Sequence, residues 1–487
     1  MTGIKFYGSQ AGGRGTTANT HTGSPVSLIR QDVQSALSYA AYVPFIFLPL
    51  LPQRSGWLGE LTPTRGNVWS CFLHAILLIL QVPFLLSVPF WLCFPGWAVL
   101  AAVVVFMGVN NGICYFLNGS RMEFISNEKY ADATAHTSEQ WVFLNGVAAG
   151  EHWLQTNIDR LALTFGRPVI GLHNKTNGIL FDIIQCLIQR NFKYATNDIR
   201  TCYTKVKSIL YTQHITKVVF IMHSQGAIEG GLILNWLLQE IPMDLLAKLE
   251  IYTFGNAANH FNNPHKHLLT QERALALQSR RKRPEHSKAI RHIEHYVHTH
   301  DFVAKWGILS FLNPRKASPE VPRFMGRAFL REGTGHLLTQ HYLDSMFPLE
   351  PAPELTEEGS EKGGIGGSGF LGADVIGNTF MEEDIDWVAK RSGAKAGLKK
   401  SARSTEDLSV IDTDLSEEDD EDEGDVGVYD ESPISTREVS FHGSFTNGAG
   451  KKRQYKVKDI SRLWQYRNGR SPQVDPVIAS LERIDTV

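Results

Sequence analysis

Hydrophobic and polar positions divide the chain into three kinds of segment. Between Arg65 and Arg121, 55 consecutive residues include no Asp, Glu, Lys or Arg. One bilayer crossing takes about 20 apolar residues, so this run can hold two. The halves 72–94 and 97–117, hinged at Pro95-Gly96, read as a transmembrane hairpin spanning 66–120, with a re-entrant hairpin that dips in and returns as the alternative. Neither half carries a charge, each of which would cost roughly 2.5–3.5 kcal/mol at mid-membrane. The shorter apolar stretch 36–51 is broken by Pro44 and Pro49 and reads as interfacial, within an N-terminal segment 1–65. Beyond residue 130 the pattern changes. Short β-type runs at 141–144, 168–172, 217–222, 249–254, 292–297 and 323–330 alternate, over the first four, with amphipathic stretches at 153–165, 179–189 and 230–240. Nearly continuous apolar strands alternating with helices predict an α/β domain, a parallel sheet covered on both faces, over 130–349. From 350 to 452 the sequence is Gly/Ser-rich and then acidic, and it predicts a disordered region. In the last segment, 453–487, the stretch 455–466 with Trp464 predicts a short helix that docks back on the domain.

Composition adds a charge asymmetry. Lys plus Arg number 48 against 50 Asp plus Glu, a net charge of −2. Fourteen of the acids lie between Arg403 and Arg437 with no base among them, so the remainder carries about +12. The acidic tail reads as a solvating segment. The cluster Arg280-Arg-Lys-Arg283, within the excursion 265–291, reads equally as a solvated face or as a patch for anionic lipid. Arg30, Arg54 and Arg65 precede the hairpin, and Arg121 and Lys129 follow it. Two crossings with these flanks place the rest of the chain on the cytoplasmic side. The sequons at Asn118 and Asn174 pull the other way. Five cysteines without a CxxC pair make no disulfide framework. Neither a P-loop nor a dinucleotide fingerprint occurs, so no cofactor is expected, and nucleic acid is not an expected partner.

In an α/β sheet, ligands collect at the carboxyl ends of the strands. The run 217–222 is followed by His223-Ser224-Gln225-Gly226-Ala227 and a helix. A serine on such a turn is lifted clear of the sheet as a nucleophile. The trailing glycine, Gly226, is present, whereas Met222 stands where a leading glycine is usual. A serine hydroxyl needs a histidine to remove its proton, and the histidine needs a carboxylate to fix its tautomer. Asp301, after the run 292–297, is the expected acid; Asp182, Asp198 and Glu294 fit less well, being helical or within a strand. His336, on a Gly-flanked loop after the last run, is the expected base, with His341 as the alternative. The oxyanion donors are expected to be the amides of Gln225 and of Val147, or its neighbour Gly146, in the loop after the first strand. His298 and His300 share a strand face, but spacing supplies no third ligand and no HExxH occurs, so no metal site is expected. The apolar segment 306–312 reads as buried core or as a lid.

Phe143-Leu-Asn-Gly146, His223-Ser-Gln-Gly226, Phe254-Gly-Asn256, Thr299-His-Asp301-Phe-Val303 and Gly335-His336 together resemble the α/β-hydrolase superfamily, with lipase-like serine esterases of fungal membrane-anchored proteins as the nearest likeness. The resemblance covers about 135–349. It implies ester hydrolysis or acyl transfer with a triad in the order nucleophile, acid, histidine, and a lipid or other apolar ester as substrate. A hydrolase-fold scaffold that binds lipid or a protein partner without turnover is the alternative, and Met222 is the residue that favours it.

Overall fold

The computed structural model describes residues 4–8, 23–51, 54–272, 288–312, 324–349, 379–387 and 456–472. The basic cluster 280–283 and the acidic run 403–437 lie outside the described residues. In chain order the elements that matter here begin with β1 (Ile4–Tyr7), α1 (Pro25–Ser38), α2 (Arg65–Ser87), α3 (Gly96–Asn118) and β2 (Glu123–Ile125). They continue with β3 (Glu139–Leu144), α4 (Glu151–Phe165), β4 (Val169–Leu172), α5 (Ile179–Phe192), α6 (Asn197–Tyr211), β5 (Lys217–His223) and α7 (Gly226–Glu240). The last are β6 (Leu249–Phe254), β7 (His292–His298), α8 (Phe302–Trp306), β8 (Arg327–Arg331) and β9 (Ile385–Trp387).

The strands form one mixed sheet in the order β2-β4-β3-β5-β6-β7-β8-β1-β9. The six from β4 to β8 are mutually parallel; β2 and β1 pair antiparallel at either flank. β5, with the sequence KVVFIMH, is buried from its second residue onward, as a central parallel strand must be. Val218, Phe220 and Met222 join a core with α6 and α7 on one face. Val219 and Ile221 join a second core with α4 on the other. The result is a mostly parallel sheet flanked by helices.

The sheet reaches beyond the expected domain 130–349. β1, β2 and β9 come from outside it, each only three or four residues long and too short to stand out as a pattern. The last strand begins at Arg327 rather than at 323, directly after Gly326, whose φ of +113° is left-handed backbone. Near the C-terminus, short helices at Val457–Ile460 and Arg462–Gln465 bury Leu463, Trp464 and Tyr466 against the second core. Arg462 Nε donates to Glu250 at 2.8 Å, while the Arg462 and Leu463 amides donate to the Glu294 carboxylate.

α2 and α3 are each long and apolar enough to cross a membrane, and only 22% and 11% of their apolar windows are buried. A helix pair sequestered in a soluble core would be covered. Their buried faces are polar in part: Asn67, Ser70, His74 and Gln81 on α2, Asn110 and Asn118 on α3. Both sequon asparagines are buried, and Asn118 exchanges two hydrogen bonds with Thr176 of the other sequon. Within the apolar stretch 36–51, a 3-10 helix, Ala40–Ile46, lies across the loop after β8. The amides of Gly335 and His336 donate to the carbonyls of Phe45 and Ile46 at 3.0 and 3.2 Å.

Candidate active site

β5 ends at His223, and the chain turns sharply through Ser224 into α7. Ser224 has φ +57°, a left-handed conformation that costs an ordinary residue about 1–2 kcal/mol. The turn is tight on both sides. A Cβ on Gly226 would lie 2.5 Å from the carbonyl oxygen of Leu144, and one on Gly146 would lie 2.4 Å from the Ser224 Cβ. Met222, at the position where a leading glycine is usual, is accommodated from the helix side. A Cβ on Gly230 of α7 would meet its sulfur at 2.2 Å. The small residue needed for close strand-helix packing is on the helix instead of the strand.

Ser224, His336 and Asp301 come together at the carboxyl ends of β5, β8 and β7. His336 Nε2 lies 2.9 Å from Ser224 Oγ, and His336 Nδ1 lies 2.8 Å from Asp301 Oδ2. All three are buried. Asp301 also caps α8, accepting the Val303 amide at Oδ1 (2.8 Å). Burial alone would raise its carboxyl pKa, but the His336 ring and the hydrogen bonds from His336 and Tyr342 outweigh burial and hold it below the usual aspartate value. An ionised Asp301 accepts a hydrogen bond from Nδ1–H of His336, which fixes the tautomer and leaves Nε2 free to accept the serine proton. Gly255, at φ +54°, makes room for this pair; a Cβ there would lie 2.8 Å from the imidazole.

The alternative base is engaged elsewhere. His341 donates through Nε2 to the Pro49 carbonyl at 2.9 Å and accepts the Leu337 amide at Nδ1. The strand histidines also separate. His298 donates to the Gly335 carbonyl, and His300 stacks on Tyr42. Among the described residues no three His, Cys, Asp or Glu side chains gather as metal ligands. Asp182 and Glu294 have structural partners: Asp182 holds the loop after β3, and Glu294 receives the C-terminal segment. Trp306 and Ile308 belong to the core, which settles segment 306–312 at those two positions.

The expected oxyanion donors flank Ser224. Gln225 follows it, and the Gly146–Val147 turn lies against it. Ala148, at φ +62°, is clamped from both sides. Its amide donates to Asp182 Oδ2 at 2.9 Å, and its carbonyl accepts from His74 Nε2 of α2 at 2.8 Å. Asn145 ties the same loop to Asn174 through two further bonds, at 2.8 and 2.9 Å. The side chain of Gln225 donates to Gln189, which donates to the buried Glu229. Burial pushes Glu229 well above the usual glutamate range.

Several of these supports escaped sequence reasoning. Tyr342 O–H donates to Asp301 Oδ2 at 2.8 Å from a π-helix, Leu338–Leu343. His223 donates through Nε2 to the His336 carbonyl at 2.8 Å, and burial, assisted by the nearby His336, lowers its pKa to about 3, so it stays neutral. One signal was available for the hairpin contribution. Asn67, His74 and Gln81 recur at seven-residue intervals, which marks a single polar helix face inside an uncharged run. A separate polar cavity, lined by Asn263, Lys288 and Arg327 among others, lies at the amino-terminal starts of β7 and β8, the opposite end of the sheet from Ser224. Neither a model of a known protein family nor a curated protein matches the sequence.

Proposed function

We propose that this chain is a membrane-anchored serine hydrolase with an α/β-hydrolase-type domain, cleaving lipid or other apolar carboxylic esters. The observation that carries the reading is the unbroken chain of hydrogen bonds from Asp301 through His336 to Ser224, on a serine held at positive φ. In the reaction, Ser224 Oγ attacks the ester carbonyl carbon while His336 Nε2 takes its proton. The oxyanion that forms is held by the amides of Val147 and Gln225. As the intermediate collapses, His336 returns the proton to the departing alkoxide, leaving an acyl-serine. A water molecule, deprotonated by His336, then attacks the acyl carbonyl. The proton goes back to Ser224, and the carboxylic acid is released. Asp301 stays ionised throughout and stabilises the imidazolium.

The test is turnover of a p-nitrophenyl ester series of increasing acyl length by the full chain in detergent. Hydrolysis should favour the longer acyl groups and fall by about 10⁴-fold or more in Ser224→Ala. Equal rates for wild type and variant would refute the assignment. The second reading, a scaffold that binds lipid without turnover, draws on the near-complete burial of Ser224, 2% exposed. Its signature would be saturable lipid binding unaccompanied by any hydrolysis.

A further inference from the structure

The hairpin is held to the α/β domain along most of its length. On α2, Asn67 Oδ1 accepts from His152 and Trp153 at 3.0 and 2.9 Å, and Gln81 donates to the Asn177 carbonyl at 2.7 Å. Between them His74 reaches the Ala148 carbonyl. At the far end of α3, Asn118 bonds Thr176. The contact furthest from the hairpin's base is aromatic. Phe84 and Phe106 stack with ring centroids 3.7 Å apart, and Phe181 of α5 meets their edges at 6.2 and 5.9 Å. Past this point Leu86, Phe90, Leu92, Phe94, Trp97 and Leu100 are 62–97% exposed.

Length decides what such a hairpin can do. From Phe84 to Phe94 the chain rises about 16 Å, through helical residues at ~1.5 Å and 3-10 residues at ~2.0 Å each. From Gly96 to Phe106 it rises about 15 Å. The hydrocarbon core is about 30 Å thick, so one leaflet contributes about 15 Å. A full crossing would need nearly all of α2. It would draw Asn67, His74 and Gln81 into hydrocarbon together with the domain loops they bind, where each unsatisfied polar group costs several kcal/mol. We propose that the hairpin enters a single leaflet of a phospholipid bilayer: residues 85–105 form a wedge that ends near the midplane, and the polar-faced parts of α2 and α3 stay beside the domain.

The apolar surface continues from the wedge. α5 packs against both α2 and α1, and its outer positions Ile184, Ile188 and Phe192 are exposed, as is Leu37 on α1. These side chains rest on the leaflet that the wedge enters. The inference rests on the reading of the chain as a membrane-bound hydrolase. It narrows the substrate to an ester residing in that same leaflet.

The native thiols provide the test, because Cys71 and Cys93 are exposed and Cys114, Cys186 and Cys202 are buried. The full chain is reconstituted in phosphatidylcholine vesicles, treated with a membrane-impermeant maleimide, and the labelled cysteines are assigned by peptide mass spectrometry. The expected result is that reagent outside the vesicles labels Cys71 and spares Cys93. Reagent sealed inside should also spare Cys93, and detergent should uncover it. Labelling of Cys93 from the lumen, with Cys71 protected, would show a crossing and overturn the inference. Protein that does not float with the vesicles, with Cys93 labelled from outside, would remove the membrane reading along with it. Fluorophosphonate capture at Ser224 is read on the same sample, so loss of the hydrolase reading is scored separately.

Discussion

At the residue scale the candidate site is a buried carboxylate that satisfies three donors at once. Asp301 accepts from His336, Tyr342 and the Val303 amide. Hydrogen bonds to charged groups contribute about 1.5–3 kcal/mol, so removing the tyrosine hydroxyl should be felt in the reaction. Tyr342→Phe is expected to lower kcat roughly 10- to 100-fold with KM unchanged, measured at saturating ester. An unchanged kcat would remove Tyr342 from the positioning role. Ser224, Asp301 and His336 were legible in the sequence because each follows a β-type run, where a parallel sheet exposes its chemistry. Tyr342 was not, since its direction depends on a π-helix, and hydropathy does not encode the extra residue in that turn. His223 was passed over because it ends a strand, and only tertiary packing brings it to the His336 carbonyl.

At the element scale, the β5-to-α7 junction explains why Met222 is tolerated. Replacing a helix-interior glycine with alanine normally gains about 1 kcal/mol. At Gly230 the added methyl meets the Met222 sulfur in a fully buried place, and overpacking of this kind costs about 1–3 kcal/mol. Gly230→Ala should therefore destabilise the chain in denaturant titration, and Met222→Ala in the same chain should recover part of the loss. The sequence displayed the missing glycine, but the compensating one lies eight residues on and is meaningful only once the helix is placed.

The loop after β3 gives a second prediction at this scale. Asp182 accepts from Ala148, Thr176 and Asn177, yet burial outweighs these donors and raises its pKa to about 6. The unfolded chain holds aspartate at about 4, so the native state binds an extra proton between these values. This residue's contribution to stability therefore grows as pH falls from about 6 to about 4, by up to about 3 kcal/mol. Asp182→Asn should reduce the gain in denaturant midpoint between pH 7 and pH 5, to which Asp198 and Glu229, also raised by burial, contribute the remainder. A gain as large in the variant as in the wild type would assign the proton elsewhere.

At the scale of the whole molecule, sequence separation and spatial assembly diverge. The periodic middle of the chain announced the six parallel strands and most of their helices. β1 and β9 did not announce themselves, because three or four residues at a sheet edge carry too little pattern. The docking of the C-terminal segment was foreseeable from Trp464. Its polar anchor was not: Glu250 on β6 is held down to about 2 because Arg462, aided by His292, overcomes its burial. Breaking a buried ion pair from one side costs about 3–5 kcal/mol. Arg462→Ala is thus expected to lower the thermal midpoint by several degrees, followed through tryptophan fluorescence, and a midpoint within a degree of wild type would show that the segment is dispensable.

The central claim, a serine activated by histidine and aspartate, is tested most directly by covalent capture. The full chain is treated with a fluorophosphonate and the modified peptide is identified by mass spectrometry. The account predicts one adduct, on Ser224, that is absent in Ser224→Ala and slowed by orders of magnitude in His336→Ala. A folded protein that takes up no reagent, or carries it on another residue, would contradict it.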